Sequence, residues 1–561
     1  MKNKKFLPIF LAICFALSMF CFVGIRANDT ADAATGNTVE IYAINDFHGA
    51  VDKMPQIGGF LAAKKSEGAV VVNSGDMFQG SMESNSNFGQ LLAECMDEAG
   101  FDSFTYGNHE FDWGLDNLRQ LASNSNVPYL GANIYNWDAN TRAWGEFADD
   151  LSDEYQIVDT PNGLRVGIIG IIGKDQITSI SSQLVQTIGF KDPSEIVPDL
   201  SDKLRNQLNC DVVIVSAHTG QDTFLENKSW DITQYADAVL CAHTHRSEKD
   251  SKNGVPFIQG GSYGNYVTHV QLKVSNGNVT CNTFENIAYG SLSDVDTTVK
   301  AKIQTKIDNS NATISEQANQ ALATLSGGYL NSQTAVPRLV CNAVAEYATS
   351  LGYEIELVMV NNARNTLQAG EITYSELYEA IPFDNVVYVV QVSGKDIINE
   401  ARYDSNSIWR VSGRAIANNS GQYYTIAVID YLLYHQNSNR QYNYFASAFP
   451  GKGEPIALTK EGEVIYNYRL ITRDFLLAKG TINASDYVDD NVHTDKSQLT
   501  KRVNLPVYGS TEPAPTGLSN TAIALIAVGS SLVVIAVVVV VVIFAIRAKR
   551  AKTSKASDEQ Q

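Results

Sequence analysis

The sequence predicts an α/β protein in which a sheet core flanked by helices is linked by a helix to a second αβ domain, followed by a single C-terminal transmembrane helix. Three observations lead to this fold class. Val/Ile-rich runs alternate with helical patterns between residues 38 and 287. Residues 291–325 lack strand patterns and are rich in Ala, Lys, Gln and Asp. Residues 522–546 are uncharged and rich in Val and Ile.

The chain has 561 residues, of which 44% are hydrophobic and 18% charged. This composition is globular, and the length exceeds what one compact core accommodates. The predicted divisions are a signal peptide at 1–34, a first domain at 35–290, a linker helix at 291–328 that the SGG at 326–328 ends, a second αβ domain at 329–508, a stalk at 509–521, a transmembrane helix at 522–546 and a cytoplasmic tail at 547–561.

In the first domain, apolar strands such as AVVVN at 69–73 and DVVIVS at 211–216 show no polar alternation. Such runs are typical of strands that are buried on both faces. Helical patterns between them, such as FGQLLAECMDEAG at 88–100, predict crossover helices around one sheet. Polar residues cluster directly after the strand ends, which is where sheets of this kind bind ligands.

Both ends of the chain carry targeting patterns. Lys2, Lys4 and Lys5 precede an apolar run that ends in small residues, as in a secretory signal peptide. The run at 522–546 is long enough, at about 1.5 Å per residue, to cross a hydrocarbon core of about 30 Å. The basic RAKRAK after it predicts a cytoplasmic flank. We therefore expect a single-pass protein of the cell membrane whose domains face outside.

The formal net charge is −19, and the positive charge is concentrated at the two ends. An acidic body repels nucleic-acid backbones, so duplex DNA or RNA is not an expected partner, whereas metal cations are compatible with it. Five cysteines follow the signal peptide, an odd number without CxxC spacing. The sequence therefore predicts a fold that does not rely on disulfides.

Five of the eight histidines fall in short motifs that each follow an apolar strand. The motifs are Asp46-Phe47-His48, Gly107-Asn108-His109-Glu110, His218-Thr219-Gly220 and His243-Thr244-His245, and Gly75-Asp76 ends a further strand of the same kind. A single His or Asp at a strand end is more commonly a cap or a solvated loop residue. Together, at the same edge of one sheet, these side chains supply donors for two metal ions about 3.5–4 Å apart.

The types of donor also predict the kind of metal site. A shared ligand must be a carboxylate that can bridge, and Asp76 is placed for this role. No thiolate is in the set, so a closed structural zinc site is disfavoured and open positions for water and substrate are expected. Zn, Mn, Fe, Co and Ni all suit such nitrogen and oxygen ligands, so the identity of the two divalent metal ions stays open.

The ordered blocks NDFHG, NSGDMFQGS, YGNHEFDWG, SAHTG and CAHTH resemble those of the calcineurin-like metallophosphoesterases, and GNHEFD resembles the 5'-nucleotidase family within them. The resemblance implies that Asp46, His48 and His245 hold one metal, that Asn108, His218 and His243 hold the second, and that Asp76 is shared. It also implies that His109 is the catalytic histidine and that Asp112 is the carboxylate that orients it.

The reaction that this resemblance implies is phosphoryl transfer to a water molecule activated by the metals. His109 is expected to stabilise the charge that develops on the phosphoryl oxygens. Whether it also protonates the leaving group depends on its charge state, which the sequence leaves open. Glu110 is expected to be structural.

The stretch from Met359 to Ile397, which includes NNAR, GEIT and PFDN, resembles the C-terminal domain of 5'-nucleotidases. Arg364, six residues before Gly370, matches the substrate-contacting arginine of that domain. A guanidinium at this place offers bidentate contacts to a phosphate or carboxylate. Asn362, in the same loop, is also expected to bind substrate. Asn and Ala replace the glycines that usually precede the arginine, so the loop geometry is expected to differ.

Two aromatic residues of the second domain are predicted to hold the base of a nucleotide. Tyr431 lies where the family places one ring of a base-stacking clamp, and Trp409 lies at or beside the position of the second ring. Two rings on facing loops would sandwich a nucleobase. Core packing is the alternative for both residues. Arg338 and Arg410 are further candidates for phosphate contacts.

The predicted function is that of a surface-anchored dinuclear-metal phosphohydrolase that acts on nucleotides, most simply a 5'-nucleotidase releasing phosphate from nucleoside monophosphates. One alternative is a 2',3'-cyclic-nucleotide 2'-phosphodiesterase with 3'-nucleotidase activity, or a UDP-sugar hydrolase. An alternative of another class is a non-catalytic surface binding protein or adhesin. The complete ligand set argues against the last, because a vestigial site would be expected to have lost a ligand.

Overall fold

The computed structural model describes residues 37–460, 466–489 and 492–505. These residues belong to one compact unit that ends at Leu505. The predicted signal peptide, stalk, transmembrane helix and cytoplasmic tail lie outside the described residues. Within the described ranges, no helix is both long enough and apolar enough to cross a membrane.

Two six-stranded sheets form the centre of the N-terminal region, residues 37–318. In the first sheet the spatial order is Asn278–Ala288, Tyr266–Ser275, Thr38–Ile44, Val70–Asn73, Ser103–Thr105 and Tyr129–Leu130. In the second it is Ser247–Lys252, Val255–Gly260, Ala238–Cys241, Val212–His218, Arg165–Ile172 and Tyr155–Asp159. Four adjacent strands of each sheet are parallel, and antiparallel strands complete the edges.

The side-chain alternation of the strands explains why they read as continuous apolar runs. Val39 and Ile41 of the first sheet share one core with Ile214 of the second. Adjacent residues on the same strands point to the opposite faces of the sheets. Tyr42, beside Ile41, and Val213, beside Ile214, join two further cores. The expectation that these strands are buried on both faces is therefore confirmed.

The expectation that all the ligand motifs lie at the edge of one sheet is wrong. The strands before Asp46, Asp76 and Asn108 belong to the first sheet, whereas His218 and His243 belong to the second. A buried apolar strand reads the same in either sheet, because both of its faces are covered. The sequence pattern therefore could not assign strands to sheets.

Helices and a small sheet complete the N-terminal region. Its α-helices are Met54–Ser66, Met82–Asn85, Gln90–Ala99, Leu115–Asn124, Val197–Asp202, Asp222–Leu225 and Thr297–Ala318. Its 3-10 helices are His109–Trp113, Lys174–Ser179, Ser182–Leu184, Pro193–Glu195, Ile232–Gln234 and Tyr289–Ser291, and Lys203–Gln207 is a π-helical turn. A three-stranded sheet has the order Ala143–Phe147, Ile134–Asp138, Ile188–Phe190.

The predicted linker helix is shorter than expected and is docked on the first region. It spans Thr297–Ala318. Asp296 is its N-cap, and the Asp296 carboxylate accepts hydrogen bonds from two backbone N–H groups of the first turn. Ile303 is buried against the helix Met54–Ser66, where Gly58 leaves room for it, since a Cβ on Gly58 would lie 2.3 Å from Ile303 Cδ1.

The expectation that residues 291–325 contain no strand is also wrong. Ala321–Ser326 is a strand that pairs with Gly370–Thr373 and Thr481–Asn483, so the helix ends before the SGG. Both partners lie far away in sequence. Local composition therefore gave no signal of this pairing.

The C-terminal region, residues 319–505, contains a second αβ assembly, as predicted. Its five-stranded sheet has the order Asn406–Arg410, Leu357–Asn361, Tyr423–Ile429, Val387–Ser393 and Ile456–Ala457, and its three-stranded sheet has the order Gly370–Thr373, Ala321–Ser326 and Thr481–Asn483. Its helices are Ala335–Ser350, Tyr374–Ala380, Gly394–Ala401, Asp430–Leu433 and Tyr468–Lys479, with 3-10 turns at Ala446–Ala448, Ala484–Tyr487 and Lys496–Gln498.

The two regions are in direct contact near the carboxyl ends of the parallel strands of the two six-stranded sheets. The Asn85 side chain donates a hydrogen bond to the Pro382 carbonyl at 3.2 Å, and the Ser182 hydroxyl donates to the Tyr434 carbonyl at 2.8 Å. This contact carries loops of the C-terminal region over the strand ends that hold the predicted metal ligands.

Candidate metal centre and catalytic cavity

The predicted ligands lie in loops at the carboxyl ends of the parallel strands of both sheets. Backbone geometry turns them inward: Asp46, His48, Asp76, His243 and His245 all have φ between +46° and +76°. Residues other than glycine rarely adopt this left-handed conformation, and strain of this kind is concentrated at functional sites.

Glu110 holds two of these loops together. Its buried carboxylate accepts hydrogen bonds from the backbone N–H groups of Asp76 and Met77 at 2.9 Å and of Gly107 at 2.7 Å. Burial raises the pKa of Glu110 to about 7. The structural role expected for this residue agrees with these contacts.

The first group of candidate ligands consists of Asp46, His48 and His245. The Nε2 atoms of the two histidines face each other at 2.9 Å, and His245 Nε2 lies 3.5 Å from Asp46 Oδ1. The side chain of Asp46 is fixed by Asn45, which donates to it at 2.6 Å, and by the backbone N–H of His243 at 2.8 Å. Three donor atoms therefore converge on one point.

The second group consists of Asp76, His218 and His243. His218 Nε2 lies 3.2 Å from Asp76 Oδ2, and the amide oxygen of Asn108 lies 3.0 Å from His243 Nδ1. The same Oδ2 of Asp76 lies 3.8 Å from His48 Nε2 of the first group. Asp76 thus stands between the two groups, where a bridging carboxylate is required.

The hydrogen bonds around the histidines fit metal binding. The Nδ1 atoms of His48 and His218 donate to the carbonyls of Gln79 and Ser74 at 3.1 and 2.8 Å, which leaves their Nε2 atoms facing the site as acceptors. His218 Nε2 is buried and forms no hydrogen bond of good geometry. Nitrogen and oxygen donors without thiolate suit two open divalent-metal sites.

Burial shifts the proton affinities of these ligands. It raises the pKa of Asp46 to about 7 and lowers the pKa of His48 well below its ordinary value. Burial also opposes charge on His218, but the adjacent Asp76 carboxylate outweighs it and raises the pKa of His218 to about 9. A buried set of carboxylates and imidazoles of this kind gains stability from divalent cations, which balance the negative charge.

His109 stands beside the metal ligands and meets the C-terminal region. Its Nδ1 donates to Asp112 Oδ2 at 2.8 Å, and its Nε2 accepts from Arg364 Nη2 at 2.9 Å. Its backbone N–H donates to Asp76 Oδ1 at 2.8 Å. Burial lowers the pKa of His109, but the carboxylates of Asp112 and Asp76 outweigh it and raise that pKa overall.

A cavity of about 760 Å³ opens in front of His109 and extends between the two regions. The N-terminal region contributes Asn108, His109 and Asp112 to its wall, and the C-terminal region contributes Arg364 and Phe383, among others. A space of this size accommodates a ligand as large as a nucleotide.

Two family models match the chain in the same order as the two regions. The model described as calcineurin-like phosphoesterase matches residues 39–247. The N-terminal region is therefore similar to the calcineurin-like phosphoesterases. The model described as 5'-nucleotidase, C-terminal domain, matches residues 313–402 of the phosphoesterase. The fold and donor set therefore identify a metal-dependent phosphoester hydrolase whose two ligand groups suit two divalent metal ions.

Relatives of this phosphoesterase include nucleotidases. It is 26% identical over 400 residues to endonuclease YhcR of Bacillus subtilis (strain 168). The aligned residues cover 64% of this chain but only 32% of YhcR, so this chain spans about a third of the length of that relative. It is 22% identical to the 5'-nucleotidase of Vibrio vulnificus (strain CMCP6), covering 67% and 77%. The crystal structure of a 5'-nucleotidase precursor from Thermus thermophilus has the same fold, with a TM-score of 0.64 at 15% identity over 79% of this chain and 97% of that one.

The predicted substrate-binding residues of the phosphoesterase do not all reach the cavity. Arg364, Asn362 and Tyr431 line it. Trp409 does not: its side chain is 5% exposed and stacks on His493 with ring centroids 4.7 Å apart and planes 7° apart. For Trp409, core packing is the alternative that the structure supports.

Arg338 and Arg410 are also structural in the phosphoesterase. Arg338 is buried and pairs with Asp489. Arg410 is 1% exposed, and its guanidinium donates to the carbonyls of Gln498, Arg414 and Lys501. Neither guanidinium is among the groups that line the catalytic cavity.

Phe383 is the cavity residue that the sequence analysis missed. Its ring lies parallel to His109 with centroids 5.6 Å apart and planes 26° apart, and the Arg364 guanidinium lies 5.1 Å from its centre. The signal was present in the PFDN block, whose position next to the arginine loop marked it as part of the same site.

Proposed function

We propose that this phosphoesterase acts on nucleotides and is a 5'-nucleotidase that releases phosphate from nucleoside 5'-monophosphates. The observation that carries the proposal is the hydrogen bond between Arg364 and His109. It brings a cationic group of the C-terminal region to the edge of the metal-ligand cluster. A phosphate that reaches the cluster therefore meets a guanidinium on its other side.

The cavity supports a nucleotide in one orientation. Arg364 can form charge-assisted hydrogen bonds to the phosphate, at the end of the cavity nearest the metal ligands. Phe383 and Tyr431 offer aromatic faces along the cavity wall of the C-terminal region. Stacking on such faces tolerates different bases, because every base has a π-face. We therefore expect limited discrimination among nucleobases.

The residues of the chain have separate roles in the proposed reaction. When bound, the two divalent ions held by the ligand groups would lower the pKa of water and neutralise phosphoryl charge. Asp112 fixes the ring of His109 through Nδ1, so that Nε2 points into the cavity. In that position Nε2 can hydrogen-bond to a phosphoryl oxygen or to the leaving oxygen of the ester.

The test follows phosphate release and, by chromatography, the release of nucleotide and sugar-phosphate products by the purified full-length chain with added Mn²⁺. The panel contains AMP, 3'-AMP, 2',3'-cyclic AMP, ATP and UDP-glucose, and each is repeated with His109→Ala. We expect the fastest release from AMP and its loss in the variant. Preference for 3'-AMP or the cyclic nucleotide would replace the 5'-nucleotidase assignment by a phosphodiesterase with 3'-nucleotidase activity, and preference for UDP-glucose would favour a nucleotide-sugar hydrolase. No release from any substrate would contradict the enzymatic assignment.

We also propose that the enzyme is held at the outer face of the cell membrane. Support comes from the apolar run at 522–546 and the basic residues that follow it. Removal of residues 509–561 is expected to move nucleotidase activity from the membrane fraction to the soluble fraction. Activity that stays with membranes after this removal, or that intact cells do not show towards added AMP, would contradict the proposal.

A further inference from the structure

A second cleft, of about 450 Å³, lies between the two regions on the other side of the 3-10 helix Lys174–Ser179. Its wall includes Trp137 and Trp144 of the small three-stranded sheet and a loop at 438–441 of the C-terminal region. None of the candidate metal ligands lines it. Its residues nevertheless form a consistent chemical pattern.

The charge of this cleft differs from that of the chain as a whole. Arg142, Lys174 and Arg440 line it, and no carboxylate of the described residues is part of the lining. The formal net charge of the chain is −19, so a wall with three cations is unusual here. The catalytic cavity, in contrast, is lined by three aspartates, which are Asp112, Asp384 and Asp430.

Arg440 is the central cation of the cleft. Its guanidinium lies 5.0 Å from the centre of the Trp137 ring and donates to the carbonyls of Val185 and Ile188. No carboxylate of the described residues is among its hydrogen-bond partners, and burial lowers the pKa of Arg440 to about 10. Its hydrogen bonds are satisfied by neutral partners, so its positive charge is not balanced locally.

The other two cations are only lightly engaged. Arg142 donates one hydrogen bond, at 2.6 Å, to the Asn439 carbonyl, and Lys174 lies 3.6 Å from Asp192 in an exposed ion pair. Exposed pairs of this kind contribute little, so Lys174 is available to a stronger anionic partner.

Aromatic surface lies beside these cations. Trp137 and Trp144 meet edge to face with centroids 5.0 Å apart, and Trp144 is 44% exposed. Gly189 makes this packing possible, because a Cβ there would lie 2.9 Å from the Trp144 ring and 2.7 Å from Arg440. The cleft therefore combines an exposed indole face with unbalanced positive charge, which suits a ligand with a planar ring and a phosphate.

The cleft is also close to the catalytic cavity. Lys174, at the start of the six-residue 3-10 helix, lines the cleft, and Ser179, at its end, lines the cavity. At about 2.0 Å per residue, the two ends are separated by about 10 Å. A chain of two linked nucleotides is long enough to reach from one to the other.

We propose that this cleft is a second binding site for a nucleotide, which stacks its base on Trp144 and places phosphate between Lys174, Arg142 and Arg440. The proposal rests on the proposed function in that it extends the substrate class. The ligand is either a free nucleotide or the second unit of a 5'-phosphorylated dinucleotide whose terminal phosphate lies at the metal centre.

The first arm of the test measures binding stoichiometry by titration calorimetry. The Mn²⁺-loaded full-length chain is titrated with the phosphonate analogue of AMP, in which a methylene group replaces the bridging 5' oxygen and blocks hydrolysis. We expect two sites per chain. Lys174→Ala and Trp144→Ala should each weaken one of them at least tenfold. The matched control is Lys203→Ala, which removes a cation over the Tyr155 ring outside the cleft and should change neither site.

The second arm compares KM for the dinucleotide pApA with KM for AMP. The quantity measured is the ratio of KM for pApA to KM for AMP. A rise in this ratio of at least fivefold in Lys174→Ala and Trp144→Ala, but not in Lys203→Ala, would identify the second unit of a dinucleotide as the occupant. Loss of the second calorimetric site with an unchanged ratio would identify a free nucleotide. A single site in the unmodified chain together with an unchanged ratio overturns the proposal. Absence of AMP hydrolysis would contradict the proposed function alone, because the calorimetric arm does not depend on turnover.

Discussion

The two walls of the catalytic cavity are built in different ways. The metal-ligand wall consists of side chains at the carboxyl ends of parallel strands, buried except for the partly exposed His243 and His245, and five of the seven have left-handed backbones. The wall contributed by the C-terminal region consists of partly exposed side chains, such as Arg364 and Phe383, on loops of another domain. The candidate metal ligands are therefore positioned within one domain, whereas the proposed substrate contacts depend on how the two domains pack together.

Removal of the shared ligand Asp76 is expected to have the largest effect on phosphate release. Asp76→Asn is expected to lower phosphate release by more than about 100-fold, beyond the loss typical of an outer-shell partner, because both ligand groups lose their bridging carboxylate. Metal content, measured on the purified chain, should fall below two ions. Asp116→Asn, at an exposed position, should retain both properties. Full activity of Asp76→Asn would show that the bridge is not used.

Removal of His109 separates metal binding from catalysis on the same wall. His109→Ala is expected to lower kcat by about 100-fold, as is typical for loss of a proton-transfer or charge-stabilising group, while two metals remain bound. His269→Ala is a control, since this histidine stacks on Tyr42 away from the site. If His109→Ala also lost its metals, the residue would have to be counted among the ligands.

The second wall is tested by comparing two aromatic residues. Phe383→Ala is expected to raise KM for AMP by about tenfold, since one base-stacking contact is worth about 1–3 kcal/mol. Trp409→Ala should leave KM unchanged and lower the free energy of unfolding by about 3–5 kcal/mol, because it empties a packed position. Denaturant unfolding and initial rates distinguish these outcomes. A KM effect of Trp409→Ala would restore its predicted role in substrate binding.

Chelation of the metal ions is expected to have the smallest effect, a change in thermal stability. Removal of divalent metal is expected to lower the Tm of the chain by several degrees, because ligand binding to the folded state alone contributes about 2.7 kcal/mol when the free metal is at 100 times its Kd. Scanning calorimetry with and without chelator measures the shift. The shift should be smaller in Asp76→Asn and unchanged in Trp144→Ala. Equal shifts in Asp76→Asn and in the unmodified chain would place the stabilising metal elsewhere.

Asp46 and His48 come from one short motif and belong to the same ligand group, so their convergence could be predicted locally. His243 and His245 also share a motif, but they belong to different groups, which only the tertiary structure shows. Trp409 lies on the strand Asn406–Arg410, whereas Tyr431 lies in the short helix Asp430–Leu433 that follows the strand Tyr423–Ile429, so only the packing of these elements decides which ring faces the cavity. The result is that Tyr431 lines the cavity and Trp409 packs on His493.

The errors have physical causes of the same kind. Strands buried on both faces look alike in sequence, so the sequence pattern did not show that these strands are divided between two sheets. The strand Ala321–Ser326 depends on partners that lie about 45 and 160 residues away, and local composition carries no information on them.

The sequence alone predicted the types of metal ligand and their order after apolar strands, and it placed His109 beside the candidate ligand Asn108, because these are features of contiguous residues. Only the tertiary structure decided which residues meet across the domain contact. Arg364 and His109 are 255 residues apart and touch, and the cationic cleft beside Trp144 is formed by segments that no local pattern connects. Such contacts follow from the packing of two whole domains. The free energy of that packing is distributed over many side chains, so no short sequence pattern predicts it.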